Sequence, residues 1–277
     1  MKILITKIHE VWLETLMASF MSRTDNKRVL YDFSMILFRH LTWLSEEMLV
    51  LDEPCDYERE VISINRGLLS EINENIFVHL SELSMRLPLL SNKNLSQRMN
   101  HDISYIQKTL EVMDEEIILA FNMERKIQNI SISTEARGAL TRFLFEEIYK
   151  KYEHLIIYLH IRTNSKDAYI SKVFQTLIEE NFCHIRHFGE MMATMGTLSV
   201  PRVITEPLCQ DENILGFLEN IIEEELSAQK RCQLLCQKFS DNSKELKEFF
   251  DFIANQEAYH ITLIKDVLEY IKKENNV

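Results

Sequence analysis

Asn129-Ile-Ser-Ile-Ser-Thr-Glu135 interrupts a chain that otherwise reads as helix, and its Ser133 or Thr134 supplies a cap for a new helix start. Working outward from this break, apolar residues recur at helical spacing on both sides. Leu30, Phe33, Ile36, Leu37, Leu41 and Leu44 form one such stripe, broken only by His40. The spacing predicts four helices before the break, near 27–50, 58–86 and 94–122 with a first one near 7–22, and four after it, near 135–162, 167–196, 212–239 and 243–274. The expected architecture is all-α, two tandem four-helix bundles over residues 1–130 and 131–277. A shift of 147 residues lays Arg39-His40 over Arg186-His187 and Pro54 over Pro201, the pattern of a diverged duplication.

Composition agrees with long helices and excludes several functions. The 277 residues hold 5 Gly and 4 Pro, far below the roughly 12% of an average protein, and β-rich or α/β chains spend such residues on turns. The glycines stand too far apart to build a GxGxxG or GxxxxGK(S/T) phosphate cradle, so nucleotide enzymes of those two classes drop out. A net charge of −12 and the absence of basic clusters argue against nucleic acid and anionic membrane as partners. No uncharged apolar run nears the roughly 20 residues of a spanning helix. Lys7, Glu10 and Glu14 intrude before a secretory segment can form, and a cytoplasmic protein is expected. The 5 cysteines include no CxxC pair and are expected as reduced thiols.

Every helix after the break brings a carboxylate. The first carries Glu146-Glu147, the second Glu180-Asn-Phe-Cys-His184-Ile-Arg-His187, the third Glu223-Glu224-Glu225 and the last Glu257-Ala-Tyr-His260. Glu147 to Glu180 and Glu224 to Glu257 are both 33 positions, so each helix hairpin sets its two glutamates at one separation. Glu180 and Glu224 lie at equal depth from their helix starts, which requires parallel helices joined by a long link. Residues 197–211 can span up to about 50 Å against a helix of about 45 Å. Carboxylates neutralise divalent cations and shift between bridging and terminal modes, while imidazole suits iron and manganese. Without such a partner, several inward glutamates would each carry a desolvation cost of several kcal/mol. Acidic runs are usually solvated faces, so it is the alignment of four helices that selects these residues. His154 and His160 read as surface or core histidines, Cys183 as a core residue lining the site, and Cys232 and Cys236 as packing residues.

Over about 140–274 these residues resemble the ferritin-like superfamily, which includes bacterioferritin, rubrerythrin and manganese catalase. In that superfamily two helices each give one Glu and two give a Glu-x-x-His pair, together holding two iron or manganese ions. The resemblance implies Glu147 and Glu224 as the single glutamates and Glu257 with His260 as one pair. On the second helix Glu180-x-x-x-His184 or His184-x-x-His187 stands where Glu-x-x-His belongs, which leaves the ligand open between His184 and His187 and the bridging role of Glu180 open with it. The stretch His187-Phe-Gly-Glu-Met-Met-Ala-Thr-Met195 is also similar to manganese catalase beyond its ligand histidine.

The resemblance implies a di-metal carboxylate protein with two divalent ions, iron or manganese, acting on oxygen or hydrogen peroxide as a ferroxidase, peroxidase or catalase-like oxidoreductase. The alternative is a non-catalytic tandem helical scaffold, metal-stabilised or not, that binds a partner protein; a homo-oligomer stays open under both. By the repeat, His40, His79, Glu111 and Asp114 occupy the corresponding places in residues 1–130. That set is poor in carboxylates, and the first bundle is expected to serve as a packing partner.

Overall fold

A computed structural model describes residues 1–119, 132–204, 214–239 and 243–274. The architecture is all-α, with two helix clusters, α1–α4 and α5–α8, and one two-residue β-ribbon. The chain divides into two compact units, Met1–Lys126 with Gly189–Pro207, and Ile127–Phe188 with Leu208–Val277. The expected division near 130 put all of 189–207 in the second bundle; these residues instead group with unit 1. There a Cβ at Gly189 would collide with the ring of Phe20, so the absence of a side chain permits the close approach. Among the described residues, no helix is long and apolar enough to cross a membrane.

Unit 1 contains α1 (Lys2–Met21), α2 (Asn26–Val50), α3 (Leu69–Arg86) and α4 (Lys93–Leu110). α1 packs on α2 and α3, and α4 packs on α2 and α3. The Leu30–Leu44 stripe faces inward as its spacing demands, with Leu30, Leu37, Leu41 and Leu44 fully buried and Ile36 at its margin. Each such leucine contributes about 1.5–3 kcal/mol relative to exposure.

Two predicted helices are shorter than their apolar patterns. The helix expected from 58 begins only at Leu69, because residues 51–66 bond to other parts of the unit. The Glu60 amide donates to Glu10 at 3.1 Å, and Arg59 donates to the carbonyls of Pro201 at 2.6 Å and Arg202 at 3.0 Å. Left-handed backbone at Asp52 (φ 57°) and Tyr57 (φ 53°) turns the chain between the end of α2 and residue 58, and the Tyr57 ring is buried.

The helix expected to reach 122 ends at Leu110, and Ile117–Ile118 (β2) pairs antiparallel with Gly67–Leu68 (β1). The preceding carboxylates reward this departure. Glu115 accepts from the Ser70 amide at the start of α3. Glu116 accepts from the Ser22 hydroxyl, the Arg23 amide, the Thr24 hydroxyl and the Asn26 amide group around the start of α2. Residues 120–122 of the expected helix lie outside the described residues, as does part of the 197–211 link.

Unit 2 contains α5 (Thr134–Asn164), α6 (Ala168–Met195) up to Phe188, α7 (Ile214–Phe239) and α8 (Lys244–Glu274). Ser133 caps α5, its hydroxyl accepting from the Ala136 amide at 3.1 Å. Phe143 sets its ring edge-on to Phe188 and Phe250, which closes the apolar layer beside the polar residues of the interior.

Candidate metal centre

The polar interior of unit 2 is written along helix faces. Glu147, Lys151, His154 and Tyr158 follow one another at four, three and four positions, hence on one side of α5, and all are buried. On α7 the buried stripe runs Leu218, Ile221, Ile222, Ala228 and Cys232, and Glu225 falls on that stripe. On α8, Glu257 and His260 lie on the stripe of Ile253, Ala254, Ile261 and Ile264. α6 adds His184, with no exposed surface, among Phe182, Ile185 and Phe188.

These side chains converge. The Lys151 ammonium donates to Glu225 Oε2 at 2.6 Å and to Glu257 Oε2 at 2.7 Å. His154 lies between two carboxylates, with Nδ1 at 3.0 Å from Glu225 Oε1 and Nε2 at 2.8 Å from Glu224 Oε2. The Tyr158 hydroxyl donates to Glu225 Oε1 at 3.3 Å. Beside this network, His184 Nδ1 stands 3.5 Å from Glu257 Oε1 and His260 Nδ1 stands 3.5 Å from Glu257 Oε2. His184 Nδ1, Glu257 Oε1 and both nitrogens of His260 are buried without a hydrogen-bond partner. His184, Glu257 and His260 bring one ligand atom each to within 4.8 Å of one another, a site able to coordinate one metal ion.

A chain of amide contacts aims His184. Gln256 Nε2 donates to Glu180 Oε2 at 2.6 Å, which leaves its Oε1 as the acceptor for His184 Nε2 at 2.9 Å. His184 therefore carries its proton on Nε2 and presents the Nδ1 lone pair toward Glu257.

The charge states suit a cation. Burial, with help from Lys151 and His260, holds the His184 imidazole well below its ordinary value, and burial brings His260 down to about 4. Both imidazoles are neutral at neutral pH, the form in which a ring nitrogen can accept a cation. Burial opposes the charge on Lys151, but Glu225, Glu257 and Glu147 outweigh it and raise its pKa. Burial also opposes ionisation of Glu225, yet Lys151, a hydrogen bond with Glu257 and His154 bring it well below the ordinary range. Glu257 moves the other way, raised by burial and by the charge of Glu225. Two carboxyl groups this close oppose each other's ionisation, and the Lys151 ammonium between them offsets that repulsion.

Of the residues singled out in the sequence, the structure brings together His184, Glu257 and His260. Glu147 is buried but is held by the Arg231 guanidinium, whose Nε donates at 3.0 Å. Glu180 reaches the cluster only through Gln256. Glu224 is half-exposed, because it lies off the α7 stripe that turns Glu225 inward. His187 sits against Cys183 at 3.5 Å and faces the rings of Phe249 and Phe252. Cys232 is buried and its thiol is pushed up by burial. Lys151, Tyr158 and Gln256 stand outside the sequence-predicted set, Glu225 belongs to the quoted acidic run from which Glu224 is chosen instead, and His154 reads as an ordinary surface or core histidine. The run of four polar residues on one face of α5 was the available signal. Two metal ions were expected; among the described residues one such ligand group is present. No family model, curated protein or solved structure matches the chain.

Proposed function

We propose that unit 2 is a ferritin-like four-helix bundle in which His184, Glu257 and His260 hold one iron or manganese ion for redox chemistry on oxygen or peroxide. The supporting observation is the convergence of buried ligand atoms that have no hydrogen-bond partner within the protein. Two imidazoles and one carboxylate form a donor set that leaves an iron or manganese ion open positions for oxygen or peroxide. The chain's own residues do the remaining work. Gln256 and Glu180 hold His184 in the ligating tautomer, and Phe188 and the apolar stripes of α6 and α8 exclude bulk water. His154 hydrogen-bonds buried Glu225 on one side and half-exposed Glu224 on the other, a path by which a proton can reach the interior. The tandem arrangement belongs to the same proposal, with a first bundle over α1–α4 in which no ligand set is found among the described residues and a second over α5–α8 that carries one.

Elemental analysis of full-length protein isolated without added metal tests this reading, followed by anaerobic titration with iron(II) or manganese(II). One ion per chain is expected, lost in Glu257→Ala and His260→Ala and retained in Glu224→Ala and His187→Ala. Absence of stoichiometric metal after reconstitution would sink the proposal. The scaffold reading has its own support, since Lys151 balances Glu225 and Glu257 without any metal. It expects no stoichiometric metal and no loss of fold in His184→Ala.

A further inference from the structure

We infer that the Lys151 ammonium occupies the place of a second cation, and that this lysine fixes the metal stoichiometry of the site at one ion per chain. The inference rests on the proposed metal-binding reading and goes beyond it, because it assigns a cause to the number of ions.

The geometry of Glu257 carries the argument. Its Oε2 receives the Lys151 ammonium at 2.7 Å, while its Oε1 has no hydrogen-bond partner and faces His184 Nδ1 at 3.5 Å. One carboxylate therefore faces two cation positions: Oε2 holds the protein ammonium and also stands 3.5 Å from His260 Nδ1, and the unpaired Oε1 faces His184 in the three-residue ligand group. Glu225 completes the ammonium's position from α7, with Oε2 at 2.6 Å from Nζ. A carboxylate that bridges two ions in a helical bundle uses its oxygens in this divided manner. Here one of the ions is covalently part of α5.

Burial makes the substitution effective. Lys151 is 1% exposed, and Glu225 and Glu257 have no exposed surface, so water cannot screen the ammonium or replace it. A divalent ion arriving at that position would have to displace a positive charge tethered to the helix. Its remaining donors would be Glu225 Oε2 and Glu257 Oε2, both already committed to the ammonium. The other nearby anion, Glu147, is held by Arg231. A mobile second ion is thus excluded by charge and by space, whereas the position beside His184 and His260 keeps its ligand atoms available.

The test counts ions in the full-length chain. Manganese(II) is titrated anaerobically into wild type, Lys151→Glu and Lys151→Met, with bound metal measured after desalting and helical content checked by circular dichroism. The expected result is one ion in wild type and two in Lys151→Glu, where a carboxylate replaces the ammonium. Lys151→Met, which removes the charge at similar length, is expected to bind more than one ion as manganese rises. The wild-type protein supplies a readout independent of variant folding: its electron paramagnetic resonance spectrum at saturation should be that of isolated manganese ions, and an exchange-coupled pair would overturn the inference. Two ions in wild type, or one in both folded Lys151 variants, would overturn it while leaving the metal-binding reading intact. Failure of wild type to bind any ion would overturn both.

Discussion

In unit 1 the buried hydroxyls of Thr15, Ser19 and Ser45 bond back to carbonyls of their own helices, at Val11, Leu16 and Leu41. In unit 2 the buried polar groups reach across helices: Lys151 of α5 to Glu225 of α7 and Glu257 of α8, and His184 of α6 to Gln256 of α8. The histidines differ in the same way. His40 pairs with Asp102 at 2.9 Å and His79 with Glu14 at 2.8 Å, each with one carboxylate and at separate places, while Glu111 and Asp114 are exposed. A hydroxyl satisfied within its own turn places no demand on the neighbouring helix. A buried ammonium between two carboxylates fixes three helices at once, and its cost of desolvation is met only if all three arrive. Among the described residues, unit 2 alone gathers three metal-ligating groups within reach of one ion.

The sharpest way to break this contrast is to remove the charge at its centre. Metal-free Lys151→Met leaves the Glu225 carboxylate buried without its principal partner. It should lose about 3–5 kcal/mol of unit 2 stability in urea unfolding, the range for breaking a buried pair from one side. Ser45→Ala in unit 1 removes a hydroxyl bond within α2 and a long contact from the Cys55 thiol at 3.8 Å, and should cost about 1 kcal/mol or less. Equal losses would mean that the cross-helix network carries no special weight.

Acid offers a second probe, directed at unit 1. His9 is fully buried, and burial, aided by the nearby Arg59 charge, lowers its pKa to about 3 against an ordinary value of 6.5. Since the folded value lies below the unfolded one, the fold favours neutral imidazole. Stability is therefore full above pH 6.5 and is lost as pH falls toward 3, by about 1.4 kcal/mol per pH unit. Between pH 7 and pH 4.5, unit 1 should lose about 3 kcal/mol from this group alone. His9→Phe should remove that part of the slope, and an unchanged slope would assign the acid sensitivity elsewhere.

A smaller effect is expected where unit 1 does use long-range polar contacts. Glu116 gathers donors from Ser22, Arg23, Thr24 and Asn26 around the start of α2, and although burial pushes its pKa up, these hydrogen bonds prevail and lower it. Glu116→Ala should destabilise unit 1 by about 1–3 kcal/mol, as measured by urea unfolding at neutral pH. A loss below that range would mean that solvent replaces the carboxylate without penalty.

How much of this was legible in the sequence depends on whether a residue's place is set locally. Helical spacing announced the α2 stripe, and Ser133 announced the start of α5, because periodicity and capping act within a few residues. The early ends of the third and fourth predicted helices were hidden, since apolar residues continue through 58–68 and 111–119. What ends those helices is distant: Glu10 and the carbonyls of Pro201 and Arg202 in one case, the start of α2 in the other. At the site, equal spacing drew attention to the right level of α7 and α8 but did not distinguish Glu224 from Glu225. The α7 stripe of Leu218, Ile222 and Cys232 does distinguish them, by a rotation of about 100° per residue. Lys151 escapes the sequence pattern for a chemical reason: a protonated ammonium offers no lone pair, so it belongs to no set of metal-ligating residue types.

The smallest expected effect tests whether the site is insulated from the ends of its helices. Ser133 accepts the Ala136 amide at 3.1 Å and so satisfies one of the otherwise unpaired donors of the first turn of α5. Ser133→Ala should cost about 1 kcal/mol of unit 2 stability, and Ser133→Asp should retain or slightly exceed wild-type stability, because a carboxylate both accepts the amide and faces the positive end of the helix dipole. Lys151 lies 18 residues further along α5, roughly 27 Å at the helical rise. Fraying of the first turn leaves Lys151, His154 and the ligand group on α6 and α8 in place, so manganese affinity in Ser133→Ala should match wild type within about twofold. A parallel loss of affinity would show that the cross-helix network depends on the full length of α5, and the division drawn between locally satisfied and cross-helix polar groups would then fail within unit 2 itself.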